Sequence, residues 1–99
     1  MSPIGRPKEP EPYVIKLRTA SVLKGWKTLD VNHPEAMARC RAFLMHSPLN
    51  RLASGGKLKK LKGKYQGMLQ YDVNDSFRVR YWVDSNTHTV YIEYAGQHP

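Results

Sequence analysis

The chain has 99 residues, with sixteen Lys and Arg against eight Asp and Glu and a formal charge of +8. That length leaves no material for a second domain, and that charge favours polyanions: nucleic acid, the ribosomal surface or an acidic protein. Its single cysteine rules out an intramolecular disulfide, and no apolar run is long enough to span a bilayer. With no hydrophobic signal segment at the N-terminus, a cytoplasmic location without membrane contact is expected.

Residues 1–12 hold four prolines (Pro3, Pro7, Pro10, Pro12) and read as an extended tail before one domain over 13–99. From Tyr13 to Arg18, Tyr13, Ile15 and Leu17 alternate with charged residues, which predicts a strand with one buried face. Thr19 or Ser21 can cap a helix whose apolar side is Val22 or Leu23, Trp26 and Leu29. A second helix starts around Asn32-His33-Pro34-Glu35, with Pro34 in the first turn and Glu35 at the positive end of the dipole. Ala36, Met37, Cys40, Phe43 and Leu44 form its buried stripe, and Ser47-Pro48 stops it. Cys40 belongs to that stripe and reads as a core residue.

Ser54-Gly55-Gly56 breaks the chain before a run of positive charge. Arg51 to Tyr65 carries six basic residues and no acidic one, including Lys57, Lys59, Lys60, Lys62 and Lys64. A solvated loop fits such a run, and so does an RNA-binding stripe pinned to the core through Leu58 and Leu61. Gln66 to Val73 then reads as a strand, Asn74-Asp75 as a turn and Ser76 to Asp84 as the next strand. Ser85-Asn86-Thr87 turns the chain again into a last strand, Thr89 to Ala95.

Side chains alternate across a strand, so Phe77, Val79, Tyr81 and Val83 should face the helices. Arg78, Arg80 and Trp82 then share the other face. Two guanidinium groups beside an indole suit RNA, charge for phosphate and a ring for base stacking. An ordinary solvated face with Trp82 partly covered fits the same pattern.

The chemistry this suggests is attack of a ribose 2′-hydroxyl on its neighbouring phosphate. A protein assists by moving two protons and stabilising the added negative charge. Arg78 and Arg80 can supply the charge and His98 the proton transfer. Tyr94 is a further candidate site residue, although simple alternation leans it toward the core. Glu93 and Asp72 can act as bases or as structural partners of arginine. His33, His46 and His88 sit at helix ends or in a turn. No histidine has metal-ligand spacing with a cysteine or carboxylate, so neither a metal nor a cofactor is expected.

Four segments in chain order resemble the RelE/ParE superfamily of bacterial toxins. Trp26-Lys27-Thr28-Leu29 is similar to the tryptophan-bearing first helix of many members. Leu58-Lys59-Lys60-Leu61-Lys62-Gly63 is similar to the L-K-x-L-K-G segment that leads into the sheet. Phe77-Arg78-Val79-Arg80-Tyr81 is similar to the Y-R-V-x-Y strand, and Tyr94-Ala95-Gly96-Gln97-His98 to the terminal segment of the family. The similarity spans Tyr13 to His98.

The resemblance implies an α+β fold. Two N-terminal helices would pack on one face of a four-stranded, mainly antiparallel sheet, in the order β-α-α-β-β-β. In the RelE branch it implies the toxin of a type II toxin–antitoxin system, cutting mRNA in the ribosomal A site without a metal. The implied partners are a cognate antitoxin, in a toxin–antitoxin hetero-complex, and the ribosome with its mRNA. The ParE branch implies inhibition of DNA gyrase instead, and a catalytically silent RNA- or protein-binding module is a third reading. Residue by residue, the strand arginine that binds the scissile phosphate falls on Arg78 and the terminal Arg or His falls on His98. The preceding strand offers Gln70, Tyr71 and Asp72 where some RelE-type members carry basic residues.

Overall fold

The computed structural model describes residues 11–97. Of the expected tail over 1–12, Glu11 and Pro12 fall within that range and both are exposed; the rest of the tail and His98 lie outside the described residues. Strand β1 (Val14–Leu17) is followed at once by the helical layer, because the Thr19 hydroxyl accepts a hydrogen bond from Val22 N at 3.1 Å and starts α1 (Ala20–Asn32). Pro34 opens α2 (Pro34–His46) at a position where a missing N–H costs nothing. Arg41 of α2 pairs with Asp30 of α1 and ties the helices together.

Val22, Trp26 and Leu29 from α1, with Met37, Cys40, Phe43 and Leu44 from α2, press onto one face of the sheet. The sheet answers with Leu69, Tyr71, Val79, Tyr81, Val90, Ile92 and Ala95. Tyr81 is fully buried, and its hydroxyl donates to Pro48 O at 2.6 Å, which satisfies the one polar atom it carries inside. Gly25 permits a very close approach of α1 to the sheet. A Cβ built there would stand 2.0 Å from the carbonyl oxygen of Ala95.

Five strands build the sheet, not the expected four, in the order β1-β5-β4-β3-β2. The extra strand is β2 (Leu58–Lys60), in the lysine-rich run read as a loop or stripe. Leu58 is buried there, Lys59 points to the opposite face, and the strand pairs antiparallel with β3 (Leu69–Asp72). Three residues are too short an alternation to stand out within a charge run. β4 (Phe77–Asp84) and β5 (Thr89–Gln97) complete the antiparallel meander. β1 lies at the far side and pairs parallel with β5, so the sheet is mixed. The helices carry the chain from the β1 edge to the β2 edge, and the meander steps back until β5 meets β1. Both helices cover the same face, and the other face is open.

Candidate functional site

Alternation along β4 delivers Arg78, Arg80 and Trp82 to the open face while Val79 and Tyr81 are buried beneath the helices. Phe77 and Val83 face the core side and are only partly buried; Phe77 rests against the His33 ring. The two arginines have different surroundings. Arg78 lies opposite Asp72, and its Nε stands 2.9 Å from Asp72 Oδ1, an ion contact whose angle falls short of a hydrogen bond. Its Nη1 donates to Asn74 O at 2.6 Å and Phe77 O at 3.1 Å, and its Nη2 to Asp75 O at 3.2 Å. The side chain is 12% exposed. Arg78 therefore clasps the β3–β4 turn, and its donors are spent on the protein.

Asp72 is the hub of this corner. Besides Arg78, it accepts from Gln70 Nε2 at 3.0 Å and pairs with Lys59 Nζ at 3.1 Å. Gln70 is nearly buried on the open face, and its other amide atom, Oε1, accepts from Arg80 Nε at 3.0 Å. That bond fixes the plane of the Arg80 guanidinium and leaves Nη1 and Nη2 without a hydrogen-bond partner among the described residues. The Arg80 guanidinium carbon lies 5.0 Å from the centre of the Tyr65 ring, a cation–π contact. Arg80 is thus an oriented cation on this face whose outer nitrogens are available among the described residues.

The β4–β5 ladder contains an irregularity that completes the site. Arg80 pairs with Tyr94 and Tyr81 with Ile92, so Glu93 is an inserted residue. Such a bulge resets the alternation. Ile92 and Ala95 are both buried, and the two residues between them, Glu93 and Tyr94, both turn to the open side. Alternation alone leans Tyr94 toward the core, because a bulge is a property of the pair of strands and is invisible in either sequence. Tyr65, Met68, Arg80, Trp82, Glu93 and Tyr94 together line an open groove of about 470 Å³. Trp82 stacks on Tyr91 with ring centres 4.4 Å apart, and its Nε1 donates to Glu93 Oε2 at 2.7 Å. Arg18, at the end of β1, reaches the same Glu93 oxygen at 3.5 Å and lies over the Tyr91 ring. The Tyr94 hydroxyl donates to Gln97 O.

No protein-family model matches the sequence, and no curated protein matches it. Solved structures do match the fold. A chain of the RelBE2 toxin–antitoxin complex from Mycobacterium tuberculosis superposes with a TM-score of 0.65 at 19% identity, covering 88% of this chain and 99% of that one. A chain of the YoeB–YefM complex from Staphylococcus aureus gives 0.64 at 20% identity, covering 88% and 98%. A YoeB/ParE toxin from Agrobacterium tumefaciens gives 0.63 at 14% identity, covering 87% and 99%. The chain shares the fold of these solved structures.

On that fold the predicted site residues do not form one cluster. Arg80, Trp82 and Tyr94 meet at the groove, and Arg78 stands one pair further along β4, bound into the turn. The lysines divide between the two faces. Lys59 is on the open face with Asp72, whereas Lys60 lines a separate pocket on the helix side with Leu49, Leu61 and Val83. Lys57 is partly buried, and Lys62 and Lys64 are exposed around the short helical turn Gly63–Tyr65. The sequence gives no site role to Tyr65, Gln70, Tyr91 or Arg18. Tyr65 ends the lysine run and could have been noticed as an aromatic interrupting charge; Arg18 comes from the opposite end of the chain and carries no local signal.

The remaining candidates stand apart from the groove. His88 adopts a left-handed conformation with φ of 54°, stacks on Tyr13 and pairs with the Glu11 carbonyl. Cys40 is wholly buried, and burial pushes its thiol up to about 12, which leaves it inert as a nucleophile.

Proposed function

We propose that the chain is the toxin of a type II toxin–antitoxin pair and cuts mRNA on the ribosome. The observation that carries this reading is Arg80, oriented by Gln70 with its terminal nitrogens unpartnered among the described residues, at a groove walled by Tyr65, Trp82 and Tyr94. A preorganised cation between aromatic rings holds a phosphate while the neighbouring bases stack. Two of the solved structures that share the fold are toxin–antitoxin complexes, which supports a cognate antitoxin as partner.

In this reading the 2′-hydroxyl attacks the adjacent phosphorus, the bond to the 5′-oxygen breaks, and a cyclic phosphate and a 5′-hydroxyl result. Arg80 stabilises the charge that gathers on the phosphoryl oxygens. Tyr94, opposite Arg80 in the ladder, and His98, assigned from the sequence, are the groups proposed to move protons. Arg78 contributes by holding the β3–β4 turn, and through it Asp72 and Gln70, in place. Lys57, Lys59, Lys60, Lys62 and Lys64 contribute affinity for ribosomal RNA.

The deciding experiment maps mRNA 5′ ends after the chain is expressed. Codon-phased cuts within translated frames are the expected result. Intact mRNA accompanied by DNA damage would overturn the proposal in favour of gyrase inhibition.

A further inference from the structure

We infer that the groove beside Arg80 is a nucleobase subsite that selects guanine through Glu93. This rests on the reading of the open face as an RNA surface and adds a base preference to it. The bulge is the starting point: it places Glu93 and Tyr94 side by side on the groove, where an unbulged strand would show only one of them. The groove therefore has aromatic walls and a single carboxylate. A flat ring fits between such walls, and every base offers a face to stack.

The carboxylate decides which edge is accepted. Trp82 Nε1 and Arg18 both engage Glu93 Oε2, which pins the group, while Oε1 has no partner among the described residues. An ionised carboxylate only accepts hydrogen bonds. Guanine presents two neighbouring N–H donors, N1 and N2, on its Watson–Crick edge. Adenine and cytosine each set a ring-nitrogen lone pair beside the amine, and uracil flanks its one N–H with two carbonyls. Guanine can therefore set two donors on the carboxylate and each of the other three only one, so the preference is a difference between two bonds and one weakened by a nearby acceptor. Arg80 is left to phosphate, since its Nε is held by Gln70 and its outer nitrogens have no acceptor among the described residues.

The test uses the full chain and single-stranded RNA heptamers: seven uridines, or the same with one central guanosine or adenosine. Binding is measured by anisotropy at fixed salt. The guanosine heptamer should bind about tenfold more tightly than the other two, in the range that a well-placed pair of base contacts gives. Glu93→Gln should abolish the preference, weakening the guanosine heptamer while the all-uridine heptamer binds at least as tightly as before, since the negative oxygen that opposed uracil is gone. In the wild-type chain the guanosine heptamer should shift the indole N–H resonance of Trp82 and leave that of the core residue Trp26 in place, a readout that needs no variant. Failure of every heptamer to bind would overturn the RNA surface itself. Binding without preference, a preference that survives Glu93→Gln, or binding with an unmoved Trp82 resonance would overturn the guanine subsite alone.

Discussion

Arg78 and Arg80 sit two positions apart on the same strand and face the same way, yet their donors are spent differently. Arg78→Ala removes three hydrogen bonds to turn carbonyls and an ion contact to Asp72. It should destabilise the fold by about 1–3 kcal/mol, the cost of leaving part-buried polar groups unpaired, as read from urea unfolding. Arg80→Ala removes one bond to Gln70 and the cation–π contact with Tyr65, and opens Gln70 to water on the open face; it should destabilise less than Arg78→Ala while losing cleavage on programmed ribosomes. An Arg80→Ala chain that cuts at the wild-type rate would sink the role given to this residue. Cys40 supplies a pH prediction. Its folded thiol is raised from 9.0 to about 12, so the native state holds a proton that the unfolded chain releases above its ordinary value. Stability from this group is complete below about pH 9 and is lost as pH climbs toward the folded value. Alkaline unfolding followed by circular dichroism should show that decline, with a shallower slope in Cys40→Ala.

At the scale of elements, α1 is held to β5 at a distance only glycine allows. Gly to Ala within a helix ordinarily gains about 1 kcal/mol from propensity. At Gly25 the new methyl would meet the backbone carbonyl of Ala95, which cannot swing aside, so Gly25→Ala should instead destabilise by about 1–3 kcal/mol. A thermal melt at or above the wild-type midpoint would contradict that packing. The elements differ in how plainly they were written. Both helices were legible, because Thr19 and Pro34 mark their starts and Trp26, Leu29, Met37, Cys40 and Leu44 repeat at helical spacing. β4 was legible because its alternation runs through eight residues. β2 was not, since Leu58 is a single buried residue among lysines. The bulge was not either: it depends on how β5 counts against β4, and it turns Tyr94 from the core side to the open groove. The fate of Arg78 was hidden for a related reason, as its partners are carbonyls of a turn, and carbonyls carry no sequence.

At the scale of the molecule, positive charge surrounds a groove that already holds some of its own counterions. Asp72 neutralises part of Lys59, and Lys60 lies on the other side of the sheet. Replacing Lys57, Lys59, Lys60 and Lys62 together by Gln should weaken ribosome binding and flatten its salt dependence. For six to ten phosphate contacts on duplex DNA the loss between 50 and 200 mM salt is about a thousandfold or more. An unchanged salt slope in a binding titration would make the stripe a solvated surface only. The pairing of the first strand with the last has its own effect on when this molecule exists. Val14 to Leu17 find their partners in Thr89 to Ile92, and β5 also separates β1 from the rest of the sheet. Contacts so distant in sequence form late. A chain halted before Thr89 has lost the interior strand that joins β1 to β4, and should give a spectrum without dispersed strand resonances. The same holds for any partly folded chain: until β5 has paired with β4, Arg80 has neither Tyr94 nor Glu93 beside it. The groove is thus a property of the closed sheet and not of any local segment: a chain that has not yet paired β5 with β4 carries every one of its residues and has no site.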